Sequence, residues 1–317
     1  MRIVLFVLAL ALLLTGCDMT TTGTGGGGGS EYIELLSQTL VSGTPVRAAI
    51  TGSALLVLGD PNHFVSLDIT DPYYPWVEDD TFCQGVALDA FGDYACVVDV
   101  DGLGVWGIDE LWNLHELSHG YLSSGADVDV EGTYAYVANR DTGLQVFDIS
   151  DPYTTPYEVG YYWTLQDAFR IEVEGSYGYM LHPYGMWMLD VTPASDITLM
   201  REMTLFNPTD IAIRGSYAYI THEGGLSVVN VGAPYDLAQV GSHTSYTSYN
   251  AIAITGNFAL VCAGNDGLKL FDISSPAAPV LLDTYYTLGY AWDVVTDGYY
   301  VYVCSDTYIE TLRLSAW

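Results

Sequence analysis

Two histidines, His182 and His222, stand seven residues after a recurring glycine in neighbouring copies of one repeated segment, with Asp210 and Glu223 close by. Imidazole combined with carboxylate suits zinc and related divalent ions, so these four form the candidate metal set. The simpler reading of each is a solvated loop histidine. Calcium is the other cation in view, because Asp99-Val100-Asp101-Gly102 alternates carboxylates, but the segment lacks the downstream bidentate Glu of an EF-hand loop. No cofactor is fixed by these signals. A second group stands five residues before the same glycine: Arg47, Ala87, Asp127, Arg170, Asp210, Ala251 and Asp293. Its charged members, Arg47, Asp127, Arg170, Asp210 and Asp293, are candidate binding residues, and so are Trp187 and Trp292, which break the aromatic pattern of the copies. The aspartates also have a structural reading, as turn residues bonding loop amides. No residue is assigned a catalytic role, since the chain has no Gly-x-Ser-x-Gly elbow, no His-Glu-x-x-His and no Cys/His signature.

The elements that must position these groups follow from the glycines. Gly52, Gly92, Gly132, Gly175, Gly215, Gly256 and Gly298 are separated by 40, 40, 43, 40, 41 and 42 residues, and a period near forty in an all-β pattern indicates propeller blades. The unit is clearest from Val128 to Pro152. Asp127-Val128-Asp129-Val130 alternates as a half-buried strand does, and a turn follows at Gly132. Tyr134-Ala135-Tyr136-Val137 is a second strand, Thr142-Gly143 a hairpin, Leu144 to Ile149 a third strand, and Asp148 to Pro152 a stop. Tyr157 to Trp163 reads as a weaker fourth strand. The fixed Tyr-x-Tyr pairs are packing positions, whereas Trp163, Tyr184, Trp187, Tyr246, Tyr249, Tyr290 and Trp292 depart from the pattern.

The combination Gly-x-Tyr-Ala-Tyr-Val-Ala, Gly-Leu-x-Val-x-Asp-Ile-Ser and a following proline resembles the LVIVD repeat of bacterial and archaeal cell-surface proteins. The resemblance is close in units three, five and six, looser in two and four, and runs from about Val46 to the C-terminus. It implies a β-propeller at a cell surface and brings no catalytic motif. Six units are complete, and the seventh supplies three strands. Glu31 to Val41 stands where a missing outer strand belongs. The expected fold is therefore all-β: a seven-bladed propeller of four-stranded antiparallel blades, closed by an N-terminal strand completing the last blade.

Residues 1–17 read as a leader. Ile3 to Leu14 is an apolar run too short to span a bilayer, and Leu14-Thr15-Gly16-Cys17 resembles the bacterial lipobox, which implies lipidation at Cys17. An ordinary secretory leader with an incidental cysteine is the alternative. Residues 18–30 form a Thr/Gly-rich tether, and residues 31–317 the single propeller domain. The expected address is the bacterial cell envelope, on the periplasmic or cell-surface side of a membrane. With 39 acidic against 8 basic residues and a net charge of -31, the chain repels nucleic acid and anionic membranes. It meets the membrane through its lipid alone, and its expected partners are an envelope protein or a glycan. We expect a monomeric, non-catalytic binding or scaffold module. The alternatives are an envelope hydrolase or lyase, and a surface structural protein dependent on a divalent cation. Cys83, Cys96, Cys262 and Cys304 are expected as buried free thiols, although Cys262 and Cys304 share a register in neighbouring units.

Overall fold

The computed structural model describes residues 32–233 and 236–315; the leader, Cys17 and the tether lie outside them. The seven glycines of the repeat all have positive φ, between 54° and 95°. An added Cβ would meet nothing within 4 Å at Gly52, Gly92, Gly132, Gly175, Gly215 or Gly298. Backbone conformation, not space, therefore demands glycine at this turn between first and second strands. Gly143, Gly225 and Gly267 answer to both constraints, because a Cβ there would also collide with a carbonyl of the outer strand.

The strands assemble into seven four-stranded antiparallel sheets. Six are built from consecutive strands. The seventh joins Ala291–Thr296, Tyr300–Ser305 and Tyr308–Leu314 to the N-terminal strand Ile33–Leu40, in a register running from Ile33 opposite Leu314 to Leu40 opposite Tyr308. The expected closure is therefore present, and it ties the two ends of the described chain into one sheet. Each joint between neighbouring blades holds its own apolar cluster. At the closing joint Tyr302, Cys304 and Ile309 pack against Leu55, Val57 and Leu67. The second tyrosine of the Tyr-x-Tyr pairs fills these joints, with Tyr136, Tyr219 and Tyr302 all buried.

Cys83, Cys96, Cys262 and Cys304 are buried and unpaired. Cys262 belongs to the joint between blades 6 and 7 and Cys304 to the next joint. Burial pushes the Cys83 thiol up to about 11, so it stays protonated at neutral pH.

Candidate functional site

The inner strands, from Thr44–Thr51 in blade 1 to Ala291–Thr296 in blade 7, line a central channel with a cavity of about 170 Å³. The five charged candidates Arg47, Asp127, Arg170, Asp210 and Asp293 all line it. Arg170 Nη1 donates to Asp127 Oδ1 at 2.9 Å. Its Nε lies 2.8 Å from Asp210 Oδ1, an ion pair too far off axis for a hydrogen bond. Burial works against the Arg170 charge, but Asp210, Asp127 and Asp293 outweigh it and hold the guanidinium above its usual range. Arg47 is pushed the other way, by the Arg170 cation and by burial, against the pull of Asp293.

The free oxygens of the carboxylates bond strand amides of the next blade, not the loop amides expected from sequence. Asp127 Oδ2 accepts from Ile171 N at 3.0 Å, Asp210 Oδ2 from Ile252 N at 2.9 Å, and Asp293 Oδ2 from Ala48 N at 2.9 Å. The reason is geometric. An inner strand has no neighbour on its channel side, so its outward N–H groups are unpaired edge donors. A carboxylate reaching from the preceding blade satisfies them and joins the blades.

A second ring, two residues further along each inner strand, was not singled out from sequence. Asp89, Asp129 and Glu172 come from three consecutive blades and also line the channel. Asp89 Oδ2 accepts from Val130 N at 2.8 Å and Asp129 Oδ2 from Val173 N at 2.6 Å. Burial raises all three carboxyls, Asp129 and Glu172 well above the carboxylate range. The signal in the sequence was the alternation itself, since positions three and five before the glycine share a strand face.

The proposed metal set does not assemble. His182 has a side chain 1% exposed and stacks on Trp187, ring centroids 4.0 Å apart at 16°. Both its ring nitrogens are buried without a hydrogen-bond partner. His222 accepts from Gly224 N at Nδ1 (3.0 Å) and faces Ser227 Oγ at Nε2 (3.1 Å). Asp210 is held by Arg170, and Glu223 accepts from Asn207 Nδ2 at 2.9 Å. His182 is drawn into the core by Trp187, His222 stays with its own turn, and Asp210 is paired in the channel, so the four groups have separate partners. Among the described residues no three His, Cys, Asp or Glu side chains group as metal ligands. Asp99 likewise spends Oδ1 on the amides of Asp101 and Gly102, both at 2.8 Å.

Of the irregular aromatics, Trp187 and Tyr249 are core residues, 3% and 1% exposed, so Trp187 is not available to a ligand. Trp292 is 37% exposed and leans on Tyr290, centroids 4.3 Å apart. The outer strands run toward the face where inner strands begin, and their ends present apolar side chains there. Leu40, Phe82, Tyr121, Trp163, Phe206, Tyr246 and Tyr286, one from each blade, are all exposed. Asp101, Asp141, Glu223 and Asp306 stand exposed in hairpins of the same face. A cleft of about 590 Å³ opens on the opposite face between blades 1 and 2, where Asp109 is occupied with the amides of Leu111 and Asn113.

The LVIVD repeat family matches residues 124–164, 207–245 and 249–287, which are blades 3, 5 and 6. Three of the seven blades are LVIVD repeats. No curated protein matches the chain. Among solved structures, the β-propeller domain of Myceliophteria thermophila Cps50 (Swd1) is 11% identical, with a TM-score of 0.74, covering 89% of this chain and all of that one. The computationally designed Ika8 protein is 12% identical, with a TM-score of 0.66, covering 88% of this chain and 99% of that one. At such identities the likeness is one of fold. The LVIVD blades match where Asp148, Asn230 and Asp272 each bond the amide two residues on, at 2.9, 3.0 and 2.8 Å. The same bond forms in the unmatched blades 1 and 4, where Asp68 accepts from the Thr70 amide at 2.8 Å and Asp190 from the Thr192 amide at 3.0 Å, so this turn belongs to the blade in general.

Proposed function

We propose that this chain is a non-catalytic binding module of the bacterial cell envelope, lipid-anchored at Cys17, which presents the face carrying the exposed aromatics to a protein or glycan. The observation that carries the reading is the rim of seven large apolar side chains, one per blade, on a ring whose joints are otherwise closely packed. The opposite face also exposes Tyr74, Trp76, Tyr153 and Tyr299, but the rim repeats at one strand end in every blade, and exposed apolar surface of that kind marks an interaction site. The acidic hairpins between these side chains, and the net charge of -31, favour neutral glycans or basic protein surfaces.

Chemistry is the second reading, and one pair invites it: Ser227 Oγ lies 3.1 Å from His222 Nε2. His222 Nδ1, however, accepts the Gly224 N–H, which puts the ring proton on Nε2. In that tautomer His222 donates to the serine and cannot take its proton.

The test is capture from detergent-solubilised envelope with the full tagged chain, against a Tyr121→Ser/Tyr246→Ser variant. Both tyrosines are highly exposed, so the fold should be unaffected. A partner retained by the parent and lost by the variant supports the reading; equal capture by both overturns it. Cys17→Ser should move the protein from the membrane to the soluble fraction.

A further inference from the structure

Blade 3 carries something on its outer two strands that the other blades do not. The strands Gly143–Asp148 and Tyr157–Trp163 pair with Gln145 opposite Tyr161 and Gly143 opposite Trp163. Because Gly143 has no side chain, nothing across the strand covers the indole of Trp163. Tyr161 and Trp163 are 61% and 60% exposed, and as alternate residues of one strand they share a face. At the matching cross-strand position the other blades carry pairs such as Val65–Asp80 and Lys269–Thr284, none with a tyrosine or tryptophan on the outer strand.

Beside the two rings stands a fixed polar group. Asn139, 1% exposed, donates from Nδ2 to Gln145 Oε1 at 2.9 Å, and Thr142 Oγ1 donates to the same oxygen at 3.1 Å. Gln145 Nε2 then donates to Glu158 Oε2 at 2.6 Å. The buried asparagine thereby sets which way the Gln145 amide points, and the amide holds the Glu158 carboxylate in place. Thr142, Gln145, Glu158, Tyr161 and Trp163 together line a cleft of about 420 Å³, within the size range of small-molecule sites.

We infer that this cleft is a binding platform for a neutral oligosaccharide. The inference rests on the binding-module reading above and names a ligand class for one part of that surface. A pyranose ring has an apolar C–H face and a rim of hydroxyls. Its C–H groups are slightly positive and suit the negative face of an aromatic ring, which Tyr161 and Trp163 supply. Vicinal hydroxyls each donate and accept, and the Gln145 amide beside the Glu158 carboxylate offers a donor and an acceptor whose positions are set before the ligand arrives. Glu158 and the acidity of the whole chain select against sialylated, sulfated or uronic sugars.

The test uses the full chain in a polyoxyethylene detergent, which carries no sugar headgroup. Neutral oligosaccharides of glucose, galactose, mannose and N-acetylglucosamine, with sialylated and sulfated counterparts, are screened by saturation-transfer NMR and titrated by calorimetry. At least one neutral member should bind, and Trp163→Ala and Gln145→Leu should each weaken it by about tenfold or more. Tyr74→Ser, exposed on the opposite face of blade 1, should leave the affinity unchanged. If Gln145→Leu lowers the melting temperature, Trp163→Ala still decides the matter, because most of that side chain is already in solvent. The inference is overturned if no neutral oligosaccharide binds, if Trp163→Ala binds as tightly as the parent, or if the anionic sugars bind better. Should the sugars fail while the Tyr121→Ser/Tyr246→Ser variant still loses its envelope partner, the saccharide platform falls and the binding module stands.

Discussion

Replacing Arg170 with methionine should destabilise the ring more than the loss of one surface ion pair would, and in a pH-dependent way. Arg170 lies 2.9 Å from Asp127 and 2.8 Å from Asp210, and all three side chains are about one-tenth exposed. Methionine keeps much of the volume but takes away the cation that pairs both carboxylates, and Arg47, also in the channel, acts on Asp210 more weakly than Arg170 does. Removing one partner of a buried ion pair costs about 3–5 kcal/mol. At roughly 2–4 °C per kcal/mol for a domain of this size, Tm should fall by about 10 °C. Burial already raises the Asp210 carboxyl, with Arg170 pulling it down. A carboxyl whose folded pKa is raised contributes stability below its unfolded pKa and loses it as pH rises through the folded value. The variant raises Asp210 further, so its deficit should be largest near pH 8 and smaller near pH 5. Urea unfolding at both pH values measures this. Adding Asp127→Asn and Asp210→Asn should recover most of the loss, since an amide oxygen can still accept from Ile171 and Ile252. A deficit under about 1 kcal/mol, or one that grows on acidification, would refute the reasoning.

The second channel ring predicts the opposite sign for a substitution. Asp129→Asn retains the acceptor for Val173 while removing a carboxyl that burial raises; the denaturation midpoint should rise at pH 8 and approach the parent's toward pH 5, and a pH-independent difference would contradict this. His182→Phe keeps the stack on Trp187 and removes two buried nitrogens without hydrogen-bond partners, Nε2 being 3.8 Å from Glu202 Oε1. Burial lowers the His182 pKa, so below about 6.5 the unfolded chain takes up a proton that the folded chain refuses; the gain in Tm should therefore be greatest at pH 5. Deleting residues 31–41 removes the strand Ile33–Leu40 from the last blade together with buried Ile33 and Val41. Calorimetry should then show a broadened, lower transition, and an unchanged cooperative melt would mean that the closing strand does not lock the ring.

The blade grammar was legible because it is repeated. Gly132, Tyr136 and Asp148 recur at fixed offsets, and each has a local cause: a positive φ, a filled joint, a turn amide. The channel was half legible. The offset of five residues from the glycine found Arg47, Asp127, Arg170, Asp210 and Asp293, but the ring of Asp89, Asp129 and Glu172 was passed over, although strand alternation puts it on the same face. The metal set failed for a reason that one dimension hides. His182 and His222 share a repeat position, yet His182 meets Trp187 across the hairpin and leaves solvent, while His222 meets Ser227 and Gly224 and stays with its loop. Equivalent positions in a repeat guarantee equivalent backbone, and the side chain's partner is chosen by cross-strand neighbours that differ from blade to blade.

That distinction also separates structure from function in this ring. The channel holds most of the conspicuous charge, but its cavity is only about 170 Å³ and its aspartates are committed to the amides of the next blade. A ligand competing for Asp127, Asp210 or Asp293 would have to uncouple adjacent blades, at the cost of leaving buried edge amides unpaired. Toward the outside the constraint relaxes. Blades splay apart with radius, the outermost strand pairs on one side only, and an exposed residue there can change without touching a joint. The Gln145–Tyr161 position shows the freedom: it is Val65–Asp80 in blade 1, Trp187–Glu202 in blade 4 and Lys269–Thr284 in blade 6, each just ahead of a bulge that recurs at the same place. Charge at the centre holds the blades together, and the rim is the part of the ring that is free to vary.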